Sequence, residues 1–276
     1  MKSLHDRVIM VAGGSGGIGS SVYKKLLSFN ANVIGISRTE NLHLKKFTEE
    51  NELEYNWIIS DLSSESGWQD SVNKIKDKFG KIDVLINCVG MLIPGKVENL
   101  TCGEIEQIIS TNFTSFVLAS KTIIPLLKKQ GFGHIINLGS LGGIVRMPYE
   151  SLYSATKFAV RGFTLSLKNE LKTFGIKVSL ITPGPVLTNM LKEESLDPNS
   201  AITFVNHPIT TDYVAKKIIH TIIYPKTEII LPTRLKLPAF ILNLYPRLFD
   251  FLFPLFNMIG KRNQKKISLI SNIMER

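Results

Sequence analysis

The sequence has few of the features that mark secreted, metal-binding or membrane-spanning proteins. Only two of its 276 residues are cysteines, Cys88 and Cys102, and its five histidines are scattered. We therefore expect no disulfide, no metal site, and a reduced, cytoplasmic compartment. Residues 1–6 lack the apolar stretch of a signal peptide. No known nucleic-acid-binding module is present, so we expect no nucleic-acid partner despite the net charge of +10.

The composition is that of a protein with a large hydrophobic core. Hydrophobic residues make up 44% of the chain and charged residues 20%. A chain of this length can bury such a core in one domain of the doubly wound α/β kind. We divide it into a main domain, residues 1–232, and an apolar and basic carboxy-terminal extension, residues 233–276.

The amino-terminal segment has the pattern of a strand, a glycine-rich turn, a helix and a second strand. An apolar run at residues 7–12 is followed by Gly-Gly-Ser-Gly-Gly-Ile-Gly at residues 13–19, a helical pattern at 20–29 and a second apolar run at 32–37. In this context glycines let a pyrophosphate approach the backbone, and the start of the helix offers N–H donors. The pattern predicts a dinucleotide site.

Tyr153 and Lys157 stand four residues apart in a segment with a helical pattern, which places both side chains on one helix face. A tyrosine ordinarily has a pKa of about 10, and a nearby ammonium favours the phenolate. The pair therefore suits proton transfer near neutral pH. An isolated pair of this kind is more often a solvated lysine lying over an aromatic ring, so the interpretation depends on further residues.

Two hydroxyl residues follow predicted strands on either side of this pair. Ser140 closes an apolar run that begins at residue 135, and Thr188 follows a predicted strand at 177–181 and the turn Pro183-Gly184. Open α/β sheets bind ligands at the carboxyl ends of their strands. We therefore expect both hydroxyls to reach one crevice, a combination typical of nicotinamide-dependent carbonyl chemistry.

With these residues in order, and Asn112 between them, the chain resembles the short-chain dehydrogenase/reductase family over about residues 4–232. The thirteen positions from Ser140 to Tyr153 belong to this resemblance. It implies a single domain with a Rossmann-like parallel sheet of about seven strands and helices on both faces. It also implies a homodimer or homotetramer, paired through helices near residues 104–129 and 151–174.

The glycines fit two registers. Gly14, Gly16 and Gly19 match the general dinucleotide pattern, whereas the family pattern uses Gly13, Gly17 and Gly19. We prefer the second register because the downstream residues belong to the same family. The resemblance then implies cofactor contacts at Gly13, Ser15, Gly17, Ile18, Gly19, Asp61, Leu62, Asn87, Gly90, Tyr153, Lys157, Pro183, Gly184, Val186 and Thr188.

The resemblance also implies a role for each of four catalytic residues. Tyr153 is the acid or base, and Ser140 hydrogen-bonds the carbonyl oxygen of the substrate. Lys157 tunes Tyr153 and holds the nicotinamide ribose, and Asn112 holds a water that leads protons to the lysine. The residue type of Asn112 by itself also fits a simple backbone-bonding kink in a helix.

Two departures from the family are visible. Related chains commonly carry Asn-Ala at the positions of Cys88-Val89, and a threonine at the position of Ala12. Both differences remove a side-chain hydrogen bond and leave the backbone geometry available. We expect them to affect stability more than cofactor binding.

The end of the second predicted strand indicates which nicotinamide cofactor is used. An acid at this point typically holds the ribose 2′-hydroxyl of NAD, and an arginine suits the 2′-phosphate of NADP. Here Ser37 and Arg38 end the strand, and no acid occurs before Glu40. Because arginine offers a forked, permanent positive charge, we predict NADP(H), with contacts from both residues. The alternative is that Arg38 is a solvated loop cation.

The most unusual segment lies at residues 235–260, which are rich in phenylalanine, leucine and isoleucine, with prolines at 238, 246 and 254. Charges and prolines interrupt it too often for a membrane span, and the pattern predicts short amphipathic helices started by proline. It suits either peripheral contact of residues 235–266 with an anionic membrane or a cap over the substrate pocket or a second subunit. A basic cluster follows, formed by Lys261, Arg262, Lys265, Lys266 and Arg276.

The leading prediction is an NADP(H)-dependent oxidoreductase that reduces a ketone or aldehyde, or oxidises the alcohol, with Tyr153 as acid and base. Residues 191–211 match the family's mobile substrate loop in position, and the apolar extension favours a small hydrophobic substrate, lipid-like or steroid-like. Two alternatives stay open. One is a 3-oxoacyl thioester reductase, and the other is an NADP-binding sensor or scaffold without turnover.

Overall fold

A computed structural model describes residues 4–274, with side chains described as far as residue 267. Seven parallel strands form one sheet in the order β3-β2-β1-β4-β5-β6-β7. The strands are β1 (Val8–Ala12), β2 (Asn32–Ser37), β3 (Asn56–Ile59), β4 (Val84–Asn87), β5 (Gly133–Leu138), β6 (Ile176–Pro183) and β7 (Glu228–Leu231). Arg276 of the predicted basic cluster lies outside the described residues.

Helices cover both faces of this sheet. They are α1 (Gly17–Leu27), α2 (Leu42–Glu50), α3 (Glu65–Phe79), α4 (Cys102–Ile109), α5 (Ser115–Gln130), α6 (Ser151–Leu171), α7 (Asn189–Glu194), α8 (Thr211–Ile223), α9 (Lys236–Leu244) and α10 (Pro246–Met274). One apolar cluster joins the sheet to α1, α2 and α8, and another joins it to α3, α5 and α6. The predicted doubly wound, Rossmann-like sheet of seven strands is confirmed.

The central strands are mostly apolar because both of their faces are covered. In β1, Ile9 and Val11 belong to the cluster on one side of the sheet, and Val8, Met10 and Ala12 belong to the cluster on the other. Successive side chains of a strand point to opposite faces, so a strand buried between two helical layers needs an unbroken apolar run. This is why the apolar runs predicted the strand positions well.

The direction of strand order reverses between β1 and β4, which are neighbours in the sheet. Open α/β sheets bind ligands at such a reversal, outside the carboxyl ends of the strands. The glycine-rich turn after β1 and the segment Cys88 to Gly90 after β4 both lie there. The fold therefore places the predicted dinucleotide motif at the expected crevice.

The carboxy-terminal segment differs from its prediction. Residues 236–244 form a short helix, as expected, but α10 begins at Pro246 and continues through Pro254 to Met274. Pro254 removes one hydrogen bond, to the carbonyl of Asp250, and was expected to begin a separate short helix. Contacts hold α10 on both sides of that proline. Before it, Arg146 Nη2 donates to the carbonyl of Pro246 at 2.7 Å, and after it, Asn263 Nδ2 donates to the carbonyl of Phe204 in the 3₁₀ segment at residues 200–205, at 3.0 Å.

Candidate active site

The glycine-rich turn is shaped by close backbone contacts. Gly13 has φ +76°, and a Cβ at this position would meet the backbone of Cys88 at 2.9 Å. The N–H groups of Gly13 and Gly14 both donate to the carbonyl of Ile36, at 2.8 and 3.2 Å. A Cβ at Gly19 would overlap the carbonyl of Gly13. Only glycine fits at the first and last of these positions, so the turn is held tightly over the ends of β1, β2 and β4.

The turn leads directly into α1, whose amino cap is Gly16 with an extended backbone. The first amides of a helix lack partners within the helix and carry a partial positive charge, which suits a pyrophosphate. Gly17 also lies against Thr188, because a Cβ there would meet the Thr188 Cγ2 atom at 2.8 Å. Asn87, just behind the turn, is fully buried and its amide has no hydrogen-bond partner among the described residues. These features fit a bound dinucleotide.

The predicted ribose contacts lie at the ends of β2 and β3, outside the cavity described below. Ser37 is buried and its hydroxyl donates to the carbonyl of Thr39 at 2.6 Å, whereas Arg38 is exposed. Glu40 is held in an ion pair with Lys45 at 3.3 Å. The nearest acid after β2 is thus engaged by a lysine, and the arginine is accessible.

Asp61 lies in the turn that follows β3. The Ser63 N–H donates to Asp61 Oδ1 at 3.0 Å and turns the chain away from the sheet after Ile59, towards α3. This backbone hydrogen bond, with a second from the Ser63 hydroxyl and the nearby charge of Arg38, holds the pKa of Asp61 below its usual value. Asp61 and Leu62 therefore stand in a turn beside Arg38.

Ser140, Tyr153 and Lys157 line one cavity of about 510 Å³, together with the glycine-rich turn and Thr188. Ser140 stands just beyond β5, and Tyr153 and Lys157 lie in the first two turns of α6. The Lys157 ammonium is 5.6 Å from the centre of the Tyr153 ring and 3.5 Å from the carbonyl of Leu138. The sequence prediction that these residues share one crevice is consistent with this geometry.

The pKa of Tyr153 is raised, whereas the sequence predicted that Lys157 lowers it. Burial raises the pKa of Tyr153, and the Ser140 hydroxyl opposes this only in part. Burial also lowers the pKa of Lys157 to about 8. Loss of hydration is therefore the main cause of both pKa shifts. The charge of Lys157 lies more than 5 Å from the centre of the Tyr153 ring and does not offset this effect on the phenol. The negative charges of Glu194 and Glu150 raise the pKa of Tyr153 further.

Asn112 lies in a π-helical turn, Ser110–Thr114, between α4 and α5. Its amide bonds the backbone of Met91 on both sides, because Oδ1 accepts from the N–H and Nδ2 donates to the carbonyl, each at 2.8 Å. Nδ2 also donates to Thr156 Oγ1 at 3.3 Å. Asn112 thus fixes the strand-end segment after β4 against α6, close to Lys157. π-helical turns of this kind often occur at functional sites.

The far wall of the cavity comes from the carboxy-terminal helices. Leu235, Leu242, Phe249 and Phe256 all line it. Gln264, farther along α10, donates from Nε2 to the carbonyl of Asp197 at 2.7 Å and to that of Ser195 at 3.1 Å. The extension therefore both encloses the cavity and fixes the segment after α7. No described helix has an apolar stretch long enough to cross a membrane.

Two acidic residues of the cavity were missed from the sequence. Glu150 and Glu194 line it and are only 3% and 7% exposed. Glu150 precedes Tyr153 by three residues, at the amino cap of α6, so helical spacing could have placed it beside the phenol. Nothing in the sequence around Glu194 distinguishes it from the exposed Glu193. Glu150 and Glu194 therefore give the cavity a polar end, in addition to its apolar wall of carboxy-terminal helices.

The comparisons agree with this geometry. The family model described as short chain dehydrogenase matches residues 7–199. A 3-ketodihydrosphingosine reductase of Bacteroides thetaiotaomicron is 32% identical over 193 residues, 70% of this chain and 69% of that protein. An acetoacetyl-CoA reductase of Cupriavidus necator is 29% identical over 191 residues, 68% of this chain and 82% of that protein. The crystal structure of a levodione reductase has a TM-score of 0.75 at 22% identity, covering 83% of this chain and 97% of that one. The chain belongs to the short-chain dehydrogenase family and is an oxidoreductase of that family.

Proposed function

We propose that this protein is an NADP(H)-dependent oxidoreductase that reduces a ketone or aldehyde, or oxidises the alcohol, on a hydrophobic substrate. The observation that carries the proposal is the shared cavity. It brings Ser140, Tyr153 and Lys157 together between the glycine-rich turn on one side and the apolar wall of α9 and α10 on the other. A cofactor held at the turn and a substrate held at the wall would meet at these three side chains.

Each residue has a task that follows from its position. When bound, the nicotinamide gives or accepts the hydride. Tyr153 donates the proton to the carbonyl oxygen, and burial keeps its phenol protonated for that step. Ser140 donates a hydrogen bond to the same oxygen. Lys157, with a pKa of about 8, supplies a positive charge that steadies the phenolate left behind. Asn112 positions the segment at Met91 against α6 and would hold a water beside Lys157.

The cofactor preference rests on the ends of β2 and β3. Ser15, Gly17, Ile18, Thr188 and the turn at Pro183-Gly184 would hold the pyrophosphate and nicotinamide portions, because all line the cavity. Arg38 is exposed beside Asp61, and Glu40 is occupied by Lys45. A 2′-phosphate would therefore find an accessible guanidinium at the end of β2, where the first acid after the strand is held by a lysine, which favours NADP(H) over NAD(H).

A lipid-like or steroid-like substrate is favoured by the apolar far wall. The Bacteroides relative is named for a ketodihydrosphingosine, which supports a lipid-like substrate. The Cupriavidus relative is named for acetoacetyl-CoA, and it supports the alternative of 3-oxoacyl thioester reduction. A sensor or scaffold that binds NADP without turnover is the remaining alternative, and it would leave the arrangement of Tyr153 and Ser140 without a use.

Replacing Tyr153 by phenylalanine tests the proposal. Tyr153→Phe keeps the ring and removes the proton donor, so kcat for NADPH-linked reduction of long-chain ketones should fall by about 10²–10⁴-fold, while NADPH binding is retained. Tyr224→Phe is the control, since Tyr224 is an exposed tyrosine at the end of α8 and should have no effect. Retention of most activity by Tyr153→Phe would refute the mechanism. Wild-type binding of NADPH without turnover of any ketone, aldehyde or 3-oxoacyl thioester would instead support the sensor.

We also propose peripheral contact with an anionic membrane through residues 235–266. The outer surfaces of α9 and α10 carry apolar side chains in water, with Leu244 70% and Phe251 80% exposed. Exposed basic residues follow on α10, among them Lys261 and Arg262. An apolar helix face beside basic residues suits the interface of an anionic bilayer. The same helices could then take a hydrophobic substrate from the lipid into the cavity that their inner surfaces line.

Vesicle flotation tests this contact. The wild type should float with anionic phospholipid vesicles and less with zwitterionic ones, and Phe251→Asp should weaken flotation. Leu42→Asp, at an exposed leucine that begins α2, should float like the wild type. A wild type that stays with the soluble fraction would contradict the proposal. The apolar face would then be assigned to a second subunit, in keeping with the homodimer or homotetramer that we propose from the family resemblance.

A further inference from the structure

The polar end of the cavity holds two carboxyl groups that the proposed mechanism does not use. Glu150 lies at the start of α6 and Glu194 at the end of α7, so two separate elements bring them together. Thr203 Oγ1 donates to Glu150 Oε1 at 3.1 Å. The Oε1 atom of Glu194 is buried and has no hydrogen-bond partner among the described residues. A carboxyl oxygen of this kind, in the wall of a cavity, lacks the partner that buried polar atoms normally have.

The charges around the pair are of one sign. Burial raises the pKa of Glu150 and raises that of Glu194 well above its usual value, and each is raised further by the charge of Asp197. Two adjacent buried carboxyls cannot both ionise easily, because each negative charge opposes the other. Among the side chains that line the cavity, the only lysine or arginine is Lys157, which lies beside Tyr153. The described lining of the cavity therefore offers the pair no other lysine or arginine.

The pair of carboxyl groups lies close to Tyr153, the proposed proton donor. Glu150 precedes Tyr153 by three residues on the same helix, and the charges of both carboxyls raise the pKa of the Tyr153 phenol. A ligand group bound by the pair would therefore lie near the carbonyl that receives the proton from Tyr153. The apolar residues Leu242, Phe249 and Phe256 line the same cavity and offer room for a hydrocarbon chain.

We propose that Glu150 and Glu194 form a subsite for a cationic amine, which selects long-chain carbonyl substrates that carry a protonated amino group close to the carbonyl. An ammonium would donate hydrogen bonds to both carboxyls and favour their ionised forms. The inference rests on the proposed function of this cavity in carbonyl reduction. It deepens that function from a hydrophobic substrate to an amino ketone, or the amino alcohol in the reverse direction.

Two ketones of equal chain length test the subsite, one with an amine next to the carbonyl and one without. In NADPH oxidation, the wild type should favour the amino ketone in kcat/KM by at least about tenfold, the contribution of one charge-assisted hydrogen bond. Glu194→Gln keeps the shape and removes the charge, so it should abolish this preference, mainly by raising the KM for the amino ketone. The accompanying change in the pKa of Tyr153 should alter kcat for the two ketones alike and so leave their ratio to be set by the subsite. Glu193→Gln, at the exposed neighbour on α7, should behave as the wild type.

A second variant and a measurement of NADPH binding distinguish a substrate subsite from a role in supporting Tyr153 or the fold. Glu150→Gln should lose the same preference, and an unchanged NADPH dissociation constant shows that each variant is folded. Equal loss of activity on both ketones in the glutamine variants would overturn the subsite, because the pair would then serve Tyr153 or the fold. An unchanged preference in both variants would also overturn it.

Calorimetry with a long-chain amine and the matching alcohol, on the NADP-loaded protein, does not depend on turnover. If the wild type binds the amine more tightly and Glu194→Gln loses this difference, the subsite is supported. This holds even if neither ketone is reduced, a result that would contradict the proposed function but not the subsite. Efficient reduction of the neutral ketone with no preference for the amine in binding or kinetics overturns the subsite and leaves the proposed function intact.

Discussion

The contact between α10 and the 3₁₀ segment at residues 200–205 can be tested with one methyl group. Gly260 is buried inside α10, and a Cβ at this position would overlap the backbone carbonyl of Ala201. Glycine to alanine inside a helix ordinarily stabilises by about 1 kcal/mol, whereas forcing an extra methyl into a packed contact costs about 1–3 kcal/mol. Because backbone has to move here, we expect the cost to exceed the gain, so that Gly260→Ala lowers the free energy of unfolding.

Gly162→Ala is a matched control for this experiment. Gly162 lies inside α6, is exposed, and a Cβ there would have no atom within 4 Å. This variant should gain up to about 1 kcal/mol, so the two alanine variants should differ by about 1–3 kcal/mol in urea unfolding. The shift of α10 should also raise the KM for a hydrophobic ketone and leave the NADPH dissociation constant unchanged. If Gly260→Ala is as stabilising as Gly162→Ala, with an unchanged KM, the packing of α10 as the cavity wall is refuted.

Two further predictions concern the cofactor and the sheet. Arg38→Ala should reduce the ratio of kcat/KM for NADPH over NADH by about 10–100-fold, through the loss of a charge-assisted contact. Lys46→Ala on α2 should leave the ratio unchanged. An unaltered ratio in Arg38→Ala would show that Arg38 is only a solvated loop cation. His134 is 5% exposed, contacts Ser179 Oγ at 2.9 Å, and has its pKa lowered to about 3 by burial and by the charges of Arg7 and Lys177. Since the unfolded chain binds this proton near pH 6.5 and the folded chain does not, stability falls as the pH drops from about 6.5 towards 3, by at most about 1.4 kcal/mol per pH unit. His134→Gln should flatten this slope between pH 6.5 and 4.5 in urea unfolding, and parallel curves for the two proteins would contradict the assignment.

Local patterns account for what the sequence predicted well. The inner strands of this sheet are buried on both faces, so each is a short, mostly apolar run that can be found without knowing its neighbours. The glycine turn is similarly local, because Gly13 and Gly19 approach each other within one tight bend. Tyr153 and Lys157 are one helical turn apart. In each case the interacting residues are close in sequence, or the residue pattern alone predicts the local structure.

The remaining features depend on contacts between distant segments. Glu150 and Glu194 are brought together by α6 and α7, and no spacing in the sequence reveals that pairing. The continuation of α10 through Pro254 follows from packing around Gly260, which outweighs the loss of one backbone hydrogen bond. The pKa of Tyr153 follows from its depth in the cavity rather than from the nearby lysine. Each of these was hidden because tertiary burial, not local preference, determines it.

The matched family region ends at residue 199, yet Leu235, Leu242, Phe249 and Phe256 complete the cavity from beyond it. The apolar wall of the cavity is therefore encoded in a stretch that lies outside the matched region. Exchange of the tail alone would change that wall and leave the glycine-rich turn in place. Chimeras that graft residues 233–274 onto another member of the family are accordingly a direct route to altered specificity.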